Sequence, residues 1–237
     1  MDNAARALIE TAARPFRTAG IAAWQYARGK LRFDPVYFEL LERGLLPSTG
    51  TLLDLGCGQG NLLALVAAAH RQYRRGPWPA GWPPPPALLR LEGIECRVDR
   101  VAVARTALCA DASIEQSDIR LARFPECSAI AILDVLLYLE EGEQRRVLER
   151  AVRALAPGGV LLLREADAGG GIAFQMTMWS VRLLEALGGR LRTPLCYRRC
   201  ADWVRLLEGF GMAVRAEPMS AGTPFANVLF IARHRAP

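Results

Sequence analysis

Hydrophobic and polar positions follow two regimes along this chain. In the first fifty residues, Ala-rich apolar positions recur at helical spacing over 3–13 and 20–30. Asp34-Pro35 then starts a third helical segment, 36–43, with proline at the first helical position, and Gly44 and Pro47 close it. From Thr51 the pattern changes to short apolar runs separated by amphipathic stretches. The runs at 51–56 (TLLDLG), 89–95 (LRLEGIE), 113–116, 129–135 (AIAILDV) and 160–164 (VLLLR) read as strands. Helices are predicted at 61–75, 98–109, 142–156, 172–188 and 200–210. Two closing strands, 212–218 and 226–233, have no helix between them and should pair as an antiparallel hairpin at one edge.

This alternation predicts an α/β fold: a doubly wound, Rossmann-like, mostly parallel seven-stranded sheet with an antiparallel C-terminal edge hairpin and an N-terminal helical cover. A length of 237 residues suits one elaborated domain. Residues 1–48 are expected to form the cover and 49–237 the main body of the same unit. One low-complexity stretch, GPWPAGWPPPP (76–86), holds six of the fifteen prolines and is expected to be an extended, exposed surface loop.

Composition narrows the class further. Apolar residues make up 51% and charged ones 23%, which excludes a disordered chain. No apolar run is long enough to span a bilayer, and the first twenty residues lack a signal-peptide core, so a cytoplasmic protein is expected. The formal charge of +6 comes from 29 arginines and one lysine, Lys30. They are spread along the chain, as on solvated helix faces rather than a phosphate track, so no nucleic-acid partner is expected. The six cysteines contain no CxxC pair and there are two histidines, so buried reduced thiols and no metal site are expected.

The chemistry concentrates in Asp54-Leu55-Gly56-Cys57-Gly58-Gln59-Gly60, a strand that ends in three alternate glycines and runs into a helix. Such a loop lets a ligand approach the backbone at the carboxyl end of a central strand. Dinucleotide loops use G-x-G-x-x-G; here the spacing is G-x-G-x-G, and an aspartate stands two residues before it. A carboxylate there repels a pyrophosphate and suits a ligand bearing an ammonium group. Glu95, at the end of the next strand, can accept both hydroxyls of a ribose. It lies 39 residues beyond Gly56, against about 20 in dinucleotide folds, and the Pro-rich insertion accounts for the excess.

On these residues the chain resembles the class I S-adenosylmethionine (SAM)-dependent methyltransferases, whose first motif is D-x-G-x-G-x-G. The resemblance covers roughly residues 50–165. It implies a cofactor site built from Asp54, Gly56, Cys57, Gly58, Gly60, Glu95 and Cys96, with Asp118 accepting the adenine amino group, Ile119 against the ring and Asp134 at the methionine end. S-adenosylhomocysteine (SAH) would be the product. Pro157-Gly158-Gly159 is a further family signature, a turn into the fifth strand. Residues 134–137 read Asp-Val-Leu-Leu rather than [DN]-P-P-[YF], which disfavours amide or adenine amino methylation. The stretches 29–47, 134–139 and 161–169 are similar to bacterial small-molecule methyltransferases of aryl-polyene and related pigment pathways. That group often has a histidine where Leu137 stands.

The expected activity is therefore methyl transfer to a small aromatic or polyketide-like metabolite, most readily at oxygen. In-line positioning supplies much of the rate of such a reaction. Candidate catalytic residues at the strand ends are Asp134, Tyr138, Arg164 and Glu165; Arg164 and Glu165, directly after an apolar run, must face a ligand or their own partners. Candidate substrate contacts are Tyr26, Lys30, Asp167, Met176, Trp179 and Tyr197, with 169–189 as an apolar lid. Two other readings compete: a SAM-binding scaffold protein that does not turn over, and an RNA methyltransferase. Trp78 and Trp82 on a basic surface also suggest contact with a membrane or with a carrier protein that presents the substrate.

Overall fold

The structure, a computed structural model, describes residues 2–187 and 194–235. Three helices come first: α1 (Asn3–Ala13), α2 (Ile21–Phe33) and α3 (Val36–Glu42). The alternating part follows as β1 (Thr49–Leu55), α4 (Asn61–Arg75), β2 (Leu88–Glu95), α5 (Val98–Leu108), β3 (Ser113–Gln116), β4 (Cys127–Leu133), α6 (Glu141–Ala154) and β5 (Leu155–Ala166). The chain closes with α7 (Gly171–Leu187), α8 (Cys200–Glu208), β6 (Met212–Pro218) and β7 (Asn227–His234). The expected last residue of α7, 188, lies outside the described residues.

The seven strands form one sheet in the order β3-β2-β1-β4-β5-β7-β6. Strands β1 to β5 are parallel, and β7 runs antiparallel to both β5 and β6. The sequence moves outward from β1 to β3 on one side and then crosses to β4 on the other. The carboxyl ends of β1 and β4 therefore flank the topological switch point, where doubly wound sheets bind ligands.

Strand alternation sorts the core into two layers. Leu52 and Leu162 point to one layer with α4, α5 and the N-terminal helices; Leu53, Leu161 and Leu163 point to the other with α6 and α8. Leu8 and Ala12 of α1, Ala27 and Leu31 of α2, and Val36 and Leu40 of α3 are buried in the first layer against Leu62, Leu65 and Ala69 of α4. The N-terminal helices thus cover one face of the sheet, as their Ala-rich stripes predict.

Several local features differ from the sequence reading. A 3-10 turn, Arg14–Ala19, joins α1 to α2 with Pro15 in its first turn. Pro35 stands at the N-cap of α3 rather than inside it. β5 begins at Leu155 and runs through Pro157-Gly158-Gly159, with a register shift opposite Cys127 and Ala129. A side chain at Gly159 would sit 2.8 Å from the Ala156 carbonyl oxygen, which explains glycine there. All six cysteines are free, but only Cys57 and Cys127 are buried, because the other four sit on helix ends and loops.

The Pro-rich loop is also not a free extended segment. Pro79, Pro85 and Pro86 are buried. The Gln72 side chain donates to Pro77 (2.7 Å) and the Trp78 indole donates to Pro83 (3.1 Å). Phe38, Trp82, Trp78 and Tyr73 form a chain of edge-on ring contacts at 5.5, 5.8 and 5.5 Å. Both tryptophans are partly buried against the first core layer. Trp82→Ala should cost about 2–3 kcal/mol and lower the thermal midpoint by roughly 5–10 °C, where an exposed loop residue would change nothing. A melting curve of the variant decides between the two.

Candidate active site

The glycine loop hooks over the end of β2. The backbone N–H groups of Gly56 and Cys57 both donate to the Ile94 carbonyl, at 2.8 and 3.1 Å. Gly56, Gly58 and Gly60 all have positive φ (73°, 59° and 83°), which favours glycine at each. A side chain at Gly56 would meet Val135 at 2.5 Å and one at Gly60 would meet Leu108 at 2.5 Å. At Gly58 the nearest atom would be Arg100 Nη1 at 3.5 Å, so the loop is open on that side.

Two carboxylates back this loop. Glu95 accepts from the Gly58 N–H through Oε2 and from the Arg97 N–H through Oε1, both at 2.9 Å. Oε1 also accepts the Cys96 thiol (3.5 Å), so Oε2 is the oxygen that retains a lone pair for a ligand hydroxyl. Asp54 is buried beneath the loop, and burial together with the Glu95 charge pushes its pKa up to about 7. Cys57 is buried beside it, its thiol pushed up mainly by burial, while Cys96 is exposed.

The end of β4 holds a second polar group. Asp134 has φ 60°, the left-handed region, which few non-glycine residues other than Asn and Asp adopt. Its backbone N–H donates to the Arg164 carbonyl (3.0 Å). The Arg164 side chain is fully buried, with its guanidinium held between Asp134 (Nε to Oδ1, 3.0 Å, and a second bond) and Asp34 (Nη2 to Oδ2, 2.8 Å, and a second bond). Lys30 adds a 2.8 Å ion pair to Asp34 and stands 4.0 Å from Asp134. Burial works against the charge on Asp34, but Arg164 and Lys30 outweigh it and hold the carboxyl well below its usual range. Burial likewise opposes the charge on Arg164, and the two aspartates more than compensate.

Arg164 is thus enclosed by its own partners and does not reach a ligand. Glu165, next to it, is buried and accepts the backbone N–H groups of Val135 (3.1 Å) and Leu136 (2.7 Å). Burial, then the Asp134 charge, pushes its pKa up to about 8.

The other sequence candidates fall in three places. Asp118 is paired with Arg120 through both oxygens, Arg120 in turn reaches Glu143, and Ile119 is buried in the second core layer. Asp167 shapes the turn after β5, accepting the Gly169 and Cys200 N–H groups at 2.8 Å each. Tyr26 on α2, Tyr138 after β4, and Met176 and Trp179 on α7 are exposed, Trp179 by 73%. Ile172 and Leu183 share the same α7 stripe and are exposed too, so the apolar face expected of a lid is present and open. Tyr197 lies on the segment before α8, anchored by the Cys196 N–H donating to Leu137 (2.7 Å). Leu137 itself is buried.

A family profile described as "Methyltransferase domain" matches residues 24–217, a span that contains the glycine loop, the hub around Arg164 and both carboxylates of the crevice. The chain belongs to the SAM-dependent methyltransferase family. A relative, aclacinomycin 10-hydroxylase RdmB of Streptomyces purpurascens, is 31% identical over 176 residues, or 73% of this chain and 42% of that protein. The methyltransferase chain thus spans less than half the length of that relative. The solved structure of the pyocyanin biosynthetic protein PhzM superposes with a TM-score of 0.62 at 18% identity, covering 94% of this chain and 61% of that one. An O-methyltransferase from neocarzinostatin biosynthesis, solved with SAM and 2-hydroxy-5-methyl naphthoic acid, gives 0.59 at 20% identity over 90% of this chain and 57% of that one.

The crevice of this methyltransferase fits SAM on its own terms. Glu95 Oε2 has spare acceptor capacity, Asp54 is a buried carboxyl for an ammonium, and the loop at Gly58 is open. Two side-chain oxygens at the same loop, Gln59 Oε1 and Asn61 Oδ1, are buried with no hydrogen-bond partner among the described residues. Buried acceptors without a partner call for one, which a bound ligand or water can supply.

Three residues of the methyltransferase site escaped the sequence reading. Asp34 looked like part of a helix start, and its role depends on a partner 130 residues away. Tyr37 is buried where Asp34, Arg164 and Asp54 all act on its hydroxyl; burial first and Asp34 second raise its pKa. Gln144 of α6 is fully buried, donates to Leu136 (3.0 Å), Leu139 (3.0 Å) and Cys196 (2.9 Å), and accepts from Arg198 (2.6 Å). Only its place in an apolar helix stripe, as a polar residue on the inner face, signals it in the sequence. Among the described residues no group of metal-ligating side chains is assembled, and no helix is long and apolar enough to cross a membrane.

Proposed function

We propose that this chain binds SAM at the β1–β4 crevice and methylates a small aromatic or polyketide-like metabolite at oxygen, in the cytoplasm. The observation that carries the reading is the glycine loop backed by Glu95 and Asp54, with open space at Gly58. Bound SAM supplies an electrophilic methyl group on a sulfonium. Glu95 Oε2 accepts a ribose hydroxyl and Asp54 receives the ammonium. Asp134, fixed by Arg164, presents its carboxyl at the end of β4. The exposed apolar α7 stripe and Tyr26 offer surface for a flat acceptor. The fold neighbours with small aromatic biosynthetic roles support this acceptor class.

Calorimetric titration with SAH tests the cofactor reading. Wild-type protein should bind at micromolar level, and Glu95→Ala should weaken binding about a hundredfold, since a hydrogen bond to a charged acceptor is lost. Unchanged affinity in Glu95→Ala would remove the ribose assignment.

One observation favours a second reading, in which SAM binds without methyl transfer: the relative at 31% identity is named a hydroxylase. Incubating the protein with SAM and a panel of phenols separates the two readings. Conversion of SAM to SAH with a methylated product supports transfer. SAM retained intact on the protein supports the second.

A further inference from the structure

We propose that the exposed apolar row of α7 is a dimer interface: it pairs with the same row of a second copy of this chain, antiparallel about a two-fold axis. The inference goes beyond the methyl-transfer reading and does not depend on it.

α7 is apolar on two opposite sides, and one of them holds it to its own chain. On that inner side the Thr177 hydroxyl accepts from the Ala226 N–H (3.0 Å), and the Phe174 ring packs edge-on against Tyr197 at 5.0 Å. Ile172, Met176, Trp179 and Leu183 stand on the opposite side, within roughly a 60° arc of the helix. All four are exposed, so no described residue covers this side. A helix that is apolar all round is ordinarily covered all round.

The spacing of the row fits a copy of itself. Its intervals of four, three and four residues are those of a coiled-coil seam, and they read the same in both directions. An antiparallel copy centred between Met176 and Trp179 sets Ile172 against Leu183 of the partner subunit. It also sets Met176 against Trp179 of the partner subunit, a favourable thioether–ring contact. Each contact then occurs twice, as a two-fold interface requires. The flanks agree with this pairing. Ala173 and Ser180, both half-buried, line one edge of the row and let two helices approach closely. Gln175 and Arg182 line the other edge and are exposed. Arg182 then meets Gln175 of the partner subunit and not a like charge.

The area is sufficient. The four side chains expose roughly 600 Å², the upper end of the largest apolar patch on an ordinary monomer. Two rows that cover each other bury about 1,200 Å², where stable protein–protein interfaces begin. A lipid surface or a small acceptor also covers apolar groups, but neither uses the two-fold match of Met176 to Trp179.

Sedimentation velocity of the full chain tests the pairing. Wild-type protein should dimerise in the micromolar range. Met176→Asp and Trp179→Lys each place a charge in the seam and should raise the dissociation constant at least about thirtyfold. Mixed in equal amounts, the two variants should dimerise again. In the mixed pair the two new charges face each other as an ion pair, and the remaining Met176 and Trp179 make their contact once. A wild type that is monomeric at about 100 µM overturns the proposal without recourse to any variant, even if it binds 1-naphthol or anionic lipid vesicles through Trp179. So does a dimer that survives both substitutions, or a mixture that stays monomeric while each variant keeps the far-UV circular dichroism of the wild type.

Discussion

Arg164→Met lowers the thermal midpoint by about 10 °C, the largest effect expected of any single substitution in this chain. The guanidinium is fully buried and neutralises Asp34 and Asp134 together. Removing it leaves two carboxylates facing each other, with Lys30 as the remaining cation of the group. Breaking a buried ion pair from one side costs about 3–5 kcal/mol. In a domain of this size each kcal/mol moves the midpoint by about 2–4 °C. The loss comes from the stranded charges rather than from the missing attraction. Adding Asp34→Asn and Asp134→Asn to Arg164→Met should therefore recover most of it. Calorimetric scans of the single and triple variants check this; a single variant that melts like wild type would show that the hub contributes nothing to stability.

The ligand-free protein is also expected to lose stability as pH rises from about 4 to 8, the reverse of the usual acid limb. Asp54 and Glu165 both have carboxyls whose pKa is raised on folding, from 3.8 to about 7 and from 4.5 to about 8. The folded state then binds these protons more tightly than the unfolded one. Their stabilisation is complete below the unfolded values and is lost as pH climbs to the folded ones. At 1.36 kcal/mol per pH unit, each group contributes on the order of 4 kcal/mol across its window. Asp34 has the opposite sign, since its lowered pKa gives stability above 3.8 that is lost only in stronger acid. The windows do not overlap, so melts at pH 5 and pH 8.5 isolate the raised carboxyls. Glu165→Gln should flatten the upper part of the slope, and SAH should raise the midpoint more at pH 8.5 than at pH 5, because its ammonium favours ionised Asp54. A flat profile between these pH values would contradict the burial of both groups as charged liabilities.

Most of the architecture was legible because its signals are local. The helix 61–75 is bracketed by Gly60 and Gly76, and it and the strands 113–116 and 212–218 have the bounds expected. The glycine loop and Glu95 were legible for the same reason, as spacing along one βαβ unit. Arg164 shows where local reading stops. Its charge after an apolar run announced a partner, but the two aspartates that satisfy it come from the α2–α3 junction and the end of β4, and only the folded topology joins them. The Pro-rich loop failed differently. Proline content indicates backbone shape, not exposure, and the Trp78–Trp82 pair folded that segment onto Phe38 and Tyr73. Tyr197 and Gln144 depend on a non-repetitive segment crossing the strand ends, for which no periodicity exists to read.

The ion pairs around Arg164 also bear on how this scaffold could be recombined. Asp34 belongs to the N-terminal helices, whereas Arg164 and Asp134 belong to the sheet. A chimera that exchanges the first 48 residues for helices of another doubly wound enzyme keeps its packing only if the donor brings an acid to the Asp34 position. Without it the graft inherits an arginine short of one counter-ion at the very place where β4 and β5 present their ends to the crevice. The interchangeable part of this protein is therefore not the helical cover alone but the cover together with its matching charge on β5.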